Sequence, residues 1–169
     1  MENQTSSSKI NYEHIIKALD VDFNTYSIVF EHFVGMDMLD YLNNYSVGDT
    51  KHLFGCYHQL LSAVEYLHSY GIGHMDIKLE NILVKLQKQP FIKLIDFGHA
   101  QSFLDEKGKY IWSTCMIGTD SYCIPEMFSK MPYRADKADV WCCGVVFYHM
   151  VFDQEPWTYA YENDIRFKC

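Results

Sequence analysis

The stretch that most constrains the fold is residues 138–152, which are apolar on nearly every face of a helix. Its apolar members are Val140, Trp141, Cys143, Val145, Val146, Phe147, Met150 and Val151. A helix that is hydrophobic all round is buried, either in a protein core or in a membrane. The chain has 169 residues, 49% of them hydrophobic, which is enough to bury one sizeable core. We therefore predict one domain that packs around this helix.

Charge and hydropathy argue against two kinds of partner. The formal net charge is −8, and the 14 Lys and Arg residues form no cluster through which counterion release could drive nucleic-acid binding. No apolar run reaches the ~18 residues that a bilayer span needs. The first nine residues are polar and rich in serine rather than signal-like. We expect an intracellular, cytoplasmic protein that binds neither nucleic acid nor membrane.

The six cysteines show no metal-binding or disulfide pattern. No two of them are separated by a two-residue spacer, and several lie in apolar stretches. Such spaced pairs are typical of zinc sites, and regular cysteine frameworks are typical of secreted disulfide-rich domains. We expect reduced thiols in the core or on the surface.

Two regular elements are predicted in the first half of the chain. Residues 19–31 contain strand-forming side chains on both sides of a turn at 24–25, which predicts a short β-meander. Further on, Asp49 and Thr50 offer helix caps before apolar residues that recur at helical spacing as far as Gly71. These are Leu53, Tyr57, Leu60, Leu61, Val64 and Leu67. The spacing predicts a long amphipathic helix that ends at the glycine.

A second hairpin is predicted from two short strands at residues 82–84 and 91–95, with the turn-rich segment 87–90 between them. Asn81 lies just before the first strand, and Asp96 lies just after the second. Antiparallel pairing brings the start of one strand to the end of the other, so both side chains should lie at the same end. Amide and carboxylate oxygens are suitable ligands for Mg²⁺. The hairpin therefore predicts a metal site.

The run from His74 to Asn81 adds a base and a cation to that site. Asp76 precedes Asn81 by five residues, Lys78 lies between the two, and Asp96 begins the tripeptide Asp-Phe-Gly. Phosphoryl transfer needs a carboxylate that accepts the proton of the attacking hydroxyl. It also needs oxygen ligands for the metal ions that neutralise the triphosphate. The run and the tripeptide together predict this chemistry.

Together these motifs resemble the catalytic loop and the metal-binding loop of the eukaryotic protein kinases. Pro156 and Trp157 resemble the segment after the core helix in calcium/calmodulin-kinase-like Ser/Thr kinases, and the likeness extends from about Tyr12 to Phe167. It implies an α+β, protein-kinase-like fold, mainly the helical C-terminal lobe with a remnant of the N-terminal lobe sheet. The implied divisions are a polar N-terminal segment at 1–11 and a partial kinase domain at 12–169, made of an N-lobe remnant and hinge at 12–33 and an incomplete C-terminal lobe at 34–169.

The resemblance also implies ATP and Mg²⁺ as cofactors and a role for each residue of the site. Asp76 would be the catalytic base, and Lys78 would contact the transferred phosphate. Asn81 and Asp96 would bind Mg²⁺. The adenine and ribose would contact Phe30, Glu31 and Phe33 of the hinge, together with Asp37, Leu83 and Ile95. The family places a carboxylate at the position of Asp139 to brace the catalytic-loop backbone.

Two residues favour Ser or Thr rather than Tyr as the phosphate acceptor of a protein substrate. Lys78 lies two residues after Asp76, where Ser/Thr kinases carry a lysine, and Thr119 matches the threonine that supports it. The surrounding segment 118–126 resembles the substrate-docking loop of the family. Glu80 either contacts a basic residue of the substrate or is a solvated surface side chain.

The chain departs from the family pattern at three places. No Gly-rich phosphate loop or Val-Ala-x-Lys strand precedes Tyr12, and the sequence stops at Cys169, before the last helices of the lobe. The early end of the sequence leaves Glu126 without the arginine with which the family pairs it. If that carboxylate is buried, the missing partner lowers the stability of the fold. Met75 replaces the arginine that meets an activation-loop phosphate, so control by phosphorylation at residues 113–114 should be weak. We expect a fragment or truncated gene product of marginal stability.

Two functions stay open at the level of sequence. The first is a Ser/Thr protein kinase that transfers the γ-phosphate of ATP to protein Ser or Thr hydroxyls. The intact set of Asp76, Lys78, Asn81 and Asp96 favours it. The second is a truncated, non-catalytic kinase-like interaction module that binds a kinase or its substrate. The missing phosphate loop and strand lysine favour this alternative.

Overall fold

The computed structural model of the chain describes residues 10–45 and 50–168. The strands are β1 (Ala18–Asp22), β2 (Ser27–Phe30), β3 (Met36–Asp37), β4 (Ile72–Gly73), β5 (Ile82–Lys85), β6 (Phe91–Leu94) and β7 (Gln101–Ser102). The helices are α1 (Met38–Asn44), α2 (Thr50–Ser69), α3 (Pro125–Phe128), α4 (Ala135–Phe152) and α5 (Ile165–Lys168). Single 3₁₀ turns occur at Leu79–Asn81 and Asp120–Tyr122. Residues 1–9 of the predicted polar segment, and the predicted cap Asp49, lie outside the described ranges.

The described residues form an α+β fold, as predicted. Their strands make three small antiparallel sheets, ordered β1-β2, β3-β5-β6 and β4-β7. Helix α2 packs against β4, β6 and α4, and the largest core cluster lies among α1, α2, α4 and the β5–β6 hairpin. Among the described helices, none combines the length and the apolar character that a bilayer span requires.

The predicted meander is an antiparallel hairpin of β1 and β2. Its turn is held by Asp22, whose Oδ1 accepts the backbone N–H groups of Asn24 at 2.8 Å and Thr25 at 3.4 Å. Both strands are largely exposed, with 55% of Ile28 and 44% of Phe30 accessible to solvent. Local strand propensity and turn geometry therefore shape this hairpin more than burial does.

The predicted amphipathic helix is α2. Its buried face includes Leu53, Leu60, Val64 and Leu67. Gly71 takes a left-handed φ of +73° and donates its N–H to the oxygen of His68 at 2.9 Å, which is a common way for a helix to end. The prediction that Leu61 shares the buried face is wrong, because this side chain is 42% exposed. Leu61 lies about 100° around the helix from Leu60, which puts it outside the face that Leu60 shares with Leu53, Val64 and Leu67.

The prediction of a helix buried on all sides is wrong for α4. Its buried side chains are Ala135, Asp136, Ala138, Asp139, Cys142, Cys143, Val145, Val146 and Met150. Val140 and Val151 are instead 58% and 42% exposed, and Gly144 between them is exposed too. These three positions follow the spacing of one helical stripe. The neighbours α2 and β4 pack against the other side of α4, so its apolar composition overstated its burial.

The β5–β6 hairpin pairs antiparallel as predicted, with Ile82 opposite Leu94. Just beyond this pair, the backbone N–H of Ile95 donates to the oxygen of Asn81 at 2.9 Å. Asp96 is the next residue. The prediction that Asn81 and Asp96 lie at the same end of the hairpin is therefore confirmed.

The five described cysteines are free thiols, with Cys115 exposed and the others buried. Burial raises the pKa of Cys56 and Cys123 to about 11. A thiol with so high a pKa stays protonated and unreactive at neutral pH, as structural core cysteines do. Cys169 lies outside the described residues.

Gly35 allows β3 to approach β5 closely. A Cβ atom at this position would collide with the carbonyl group of Val84, standing 2.9 Å from its carbon. We expect Gly35→Ala to lower the free energy of unfolding by about 1–3 kcal/mol, the usual cost of overpacking. Urea unfolding would measure it. Gly144→Ala is the control, because nothing lies within 4 Å of its added Cβ. There the helical alanine should stabilise by about 0.5–1 kcal/mol, and equal effects at both sites would contradict the steric explanation.

Candidate active site

The loop that follows β4 is anchored on α4 through Asp139. This fully buried carboxylate accepts the backbone N–H groups of His74 on Oδ2 and of Met75 on Oδ1, each at 2.8 Å. His68 of α2 contacts Oδ2 through its Nε2 at 2.9 Å. A buried carboxylate needs such partners to offset the loss of its hydration. The bracing contact implied for Asp139 is therefore confirmed.

His74 links the same loop to the end of β6. Its Nε2 donates to the carbonyl oxygen of Ile95 at 2.9 Å, and its Nδ1 accepts the backbone N–H of Asp76 at 3.3 Å. Burial lowers the pKa of His74 and outweighs nearby carboxylates such as Asp139, which raise it. The neutral ring has one donor and one acceptor nitrogen, which suits both contacts. Sequence alone assigned His74 no role, although it heads the run that contains Asp76.

Asp76 has three side-chain contacts that orient its carboxylate. Lys78 Nζ lies 2.9 Å from Oδ2, Asn81 Nδ2 donates to Oδ2 at 3.0 Å, and Thr119 Oγ1 donates to Oδ1 at 3.2 Å. Burial raises the pKa of Asp76, but the hydrogen bond and charge of Lys78, helped by the other two contacts, lower it below its ordinary value of 3.8. The carboxylate is therefore ionised at neutral pH and can accept a proton from a nearby hydroxyl.

Lys78 and Thr119 lie together, although 41 residues separate them. Lys78 Nζ donates to Thr119 Oγ1 at 2.9 Å. The close approach depends on Gly118, which has a left-handed φ of +99°; a Cβ there would stand 3.0 Å from the backbone oxygen of Met75. The segment that resembles a substrate-docking loop thus places its threonine against both Lys78 and Asp76.

Asn81 and Asp96 present oxygen atoms at one end of the β5–β6 hairpin. Asn81 Nδ2 donates to the backbone oxygen of Asp76 at 2.8 Å as well as to its carboxylate, so Oδ1 is the atom left for a ligand. Asp96 is exposed and accepts the N–H of Gly98 on Oδ1 at 3.1 Å. Its φ of 61° is a costly conformation for a non-glycine residue, of the kind that clusters at functional sites.

This oxygen pair fits Mg²⁺ better than a self-contained metal centre. Within the described ranges, no group of three His, Cys, Asp or Glu side chains could hold a metal ion unaided. Mg²⁺ prefers oxygen ligands and is usually bound by one or two carboxylates together with substrate phosphates. The donors present therefore suit an ion that arrives with a nucleotide.

An open cleft of about 600 Å³ lies beside this end of the hairpin. Five of the six residues predicted to contact the nucleotide line it, namely Phe30, Glu31, Phe33, Leu83 and Ile95. The predicted metal ligand Asp96 lines it as well. Further lining residues, which the sequence did not single out for this role, are Ile16, Ile28, Phe97 and Gly98. The volume and the mostly apolar lining are typical of small-molecule sites.

Asp37 is the sixth predicted contact, and it is not among the residues that line the cleft. Its Oδ1 accepts the backbone N–H of Asp40 at 2.8 Å and so caps the N-terminus of α1. Its strand partner in the β3–β5 pair is Leu83, which does line the cleft. Helix capping explains an aspartate here without a ligand, so its contact with a ribose stays a prediction.

Met75 joins the catalytic loop to the segment between β7 and α4 by apolar packing. The side chain is 2% exposed. Its cluster contains Phe103, Cys123, Ile124, Met127, Tyr133, Ala135 and Ala138. Ser113 and Tyr133 exchange two backbone hydrogen bonds of 2.9 Å, and Tyr133 Oη donates to the oxygen of Cys115 at 2.7 Å. Packing and backbone pairing therefore hold this segment in place.

Glu126, in α3, is exposed. The cost expected from an unpaired carboxylate at this position applies only to a buried group. An exposed carboxylate keeps its hydration, so Glu126 is not a source of instability in the described chain.

Comparison with known proteins agrees with this geometry. The model of the protein kinase domain family matches residues 2–168. The chain therefore belongs to the protein kinase family. It is 40% identical over 159 residues to a mouse PAS domain-containing serine/threonine-protein kinase, which covers 92% of the chain. It is 32% identical over 165 residues to the Schizosaccharomyces pombe serine/threonine-protein kinase ppk8, covering 96% of the chain, and 36% identical over 165 residues to human NUAK family SNF1-like kinase 1, covering 94%.

The predicted resemblance to Ser/Thr protein kinases is confirmed by these matches. The chain spans only 11%, 32% and 24% of the length of the three relatives, in the same order.

Proposed function

We propose that the protein is a serine/threonine kinase that transfers the γ-phosphate of ATP to Ser or Thr hydroxyls of a protein substrate. The observation that carries this proposal is the contact of Asp76 with both Lys78 and Thr119, beside a cleft lined by five of the six predicted nucleotide contacts. The names of the relatives support the same chemistry.

Each residue of the site has a distinct part in the proposed reaction. Asp76 orients the substrate hydroxyl and accepts its proton, since it is ionised and faces the docking-loop threonine. Lys78 contacts the transferred phosphate, and its ammonium is held in place by Asp76 and Thr119. Asn81 and Asp96 hold Mg²⁺, which when bound supplies positive charge to the phosphates. Catalysis of this kind depends mainly on positioning and charge neutralisation.

The adenine occupies the 600 Å³ cleft in this proposal. The hinge backbone at Glu31 and Phe33 hydrogen-bonds the base, while Phe30, Leu83 and Ile95 supply apolar contact. Asp37 meets the ribose through Oδ2, because Oδ1 is engaged at the helix cap. The proposed division into an N-lobe remnant with hinge at 12–33 and a C-terminal lobe at 34–169 places the cleft at the border between the two.

The alternative that the sequence left open is a non-catalytic interaction module. A module without catalysis has no need to keep Lys78 and Asn81 in contact with the carboxylate of Asp76. The observed contacts among these three side chains therefore favour phosphoryl transfer.

The direct test is a transfer assay on the natural full-length protein. It would be incubated with Mg²⁺ and γ-labelled ATP, and with peptides that contain Ser, Thr or Tyr as acceptor. We expect label on Ser and Thr peptides and its loss when EDTA removes the metal. Label on Tyr peptides alone would refute the acceptor assignment. Absence of transfer to all peptides and to generic protein substrates, despite MgATP binding, would favour the interaction module.

Thr114→Ala is expected to change the rate of phosphate transfer less than about threefold, well below the 10²-fold or larger losses typical of catalytic groups. The reason is that Met75 offers no cation to a phosphate, while apolar packing already holds the segment. Steady-state kinetics with a melting curve for each protein would measure the effect. Cys115→Ser, a change at the neighbouring exposed residue, is the control. A large loss of rate in folded Thr114→Ala alone would contradict the prediction.

A further inference from the structure

Lys93 is a nearly buried cation beside the proposed nucleotide cleft. Its cross-strand partner is Leu83, and Ile95 follows two residues later; both of these line the cleft. Residues paired across two strands, or two apart along one strand, share a face of the sheet. The Lys93 side chain is only 11% exposed. Since lysine is rarely buried without a partner, its environment requires an explanation.

The partner of Lys93 is Glu31 of the hinge. Lys93 Nζ lies 2.7 Å from Glu31 Oε1 and donates to the backbone oxygen of Ile15 at 3.2 Å. Glu31 Oε1 also accepts the N–H of Lys17 at 2.8 Å, and the N–H of Glu31 donates to the oxygen of Lys17 at 2.9 Å. Three segments therefore meet at this ion pair, namely residues 15–17, the hinge and β6.

The charge state of Glu31 agrees with this arrangement. Burial raises the pKa of Glu31, but the hydrogen bond and charge of Lys93, with help from Lys17, lower it below its ordinary value of 4.5. Glu31 is therefore an anion at neutral pH. Removing Lys93 would leave that anion without its counter-charge in a partly buried place, which is the costly way to break such a pair.

We propose that the Lys93–Glu31 ion pair positions the hinge against β6 and thereby sets the width of the nucleotide cleft. The inference rests on the proposed function, because it assumes that the cleft holds adenine. Glu31 lines the cleft from the hinge, and Ile95 lines it from the end of β6.

The role predicts a specific pattern of affinity. The ion pair acts at the adenine end of the ligand, whereas Asp96 acts at the phosphate end. In full-length Lys93→Met, which keeps the length of the side chain, the Kd for adenosine and the Kd for MgATP should therefore rise by the same factor. We expect about tenfold, equivalent to ~1.4 kcal/mol. KM for ATP should rise likewise, while kcat and KM for the peptide stay unchanged.

Three further variants separate this role from general damage. Lys93→Arg keeps the charge and its donors and should bind both ligands within about twofold of wild type. Lys85→Met removes an exposed lysine from the same hairpin and controls for net charge. Glu31→Gln removes the charge from the other side of the pair and should reproduce the loss. A melting curve would show whether Lys93→Met folds. If it does not, Glu31→Gln tests the proposal in its place.

The outcomes distinguish the two proposals. Unchanged affinity for adenosine in folded Lys93→Met and Glu31→Gln, with normal binding by wild type, would overturn the positioning role alone. A loss confined to MgATP would also overturn it, because that pattern places Lys93 at the phosphates. Wild-type protein that binds neither adenosine nor MgATP would refute the proposed function, and the positioning role with it.

Discussion

Asp96→Asn is expected to abolish magnesium-dependent phosphate transfer while leaving the fold intact. The change removes the carboxylate charge from the proposed Mg²⁺ site. A metal ion contributes several kcal/mol of charge stabilisation to such reactions, so the rate should fall on the order of 10³-fold or more. Asparagine keeps an oxygen for the N–H of Gly98 and tolerates the positive φ at this position. Transfer rates over a Mg²⁺ titration would measure the loss of activity, and melting curves would show whether the fold is intact.

Asp153→Asn is the matched control for that variant. Asp153 is also an exposed aspartate with a left-handed backbone, at φ 53°, but it lies at the end of α4 and not at the cleft. Its replacement should leave the transfer rate and the Mg²⁺ dependence unchanged. Full activity in Asp96→Asn would show that the metal role is wrong. Equal losses in both variants would show that the effect comes from the backbone conformation.

Asp76→Asn should lower kcat by on the order of 10²–10⁴, the usual contribution of a general base. The amide has nearly the same shape but cannot accept the proton of a substrate hydroxyl. Because Asp76 does not line the cleft, affinity for MgATP should be retained. The pair of variants is therefore diagnostic, since Asp96→Asn should weaken MgATP binding and Asp76→Asn should weaken catalysis alone. Retained kcat in Asp76→Asn would contradict the assignment of the base.

Acid unfolding offers a second check on Asp76. Its pKa in the folded protein is lowered below 3.8, so its ionised form stabilises the fold above that pH, and this contribution is lost as the pH falls through the folded pKa. Asp76→Asn lacks the contribution at every pH. The difference in unfolding free energy between wild type and variant should therefore be largest near neutral pH and shrink in acid. A difference that does not vary with pH would contradict the pKa shift.

The elements that sequence predicted well are those whose signals are local. The β5–β6 hairpin follows from two short strands and a turn, and antiparallel pairing then brings Asn81 and Asp96 to one end. The helix α2 follows from apolar spacing and a terminal glycine. These features depend only on the spacing of residues along the chain and on the pairing of neighbouring strands, and both can be read from the sequence.

The elements that sequence predicted poorly depend on which surfaces meet. The apolar composition of α4 does not reveal that Val140 and Val151 face solvent, since burial is decided by the elements that pack on each face. The prediction that Leu61 is buried is wrong for the same reason. The sequence also offered no sign that Asp37 caps α1 through Oδ1, although its contact with a ribose stays a prediction.

Residue identity and spacing along the chain were enough to predict the family, the β5–β6 hairpin and the chemical types of the site residues. The packed fold was needed to show that Asp139 holds the backbone of His74 and Met75, that Met75 lies in an apolar cluster, and that Lys93 pairs with Glu31. Partners 62 to 65 residues apart leave no local signal, and their contacts arise only when α4, the hinge and β6 pack into one core.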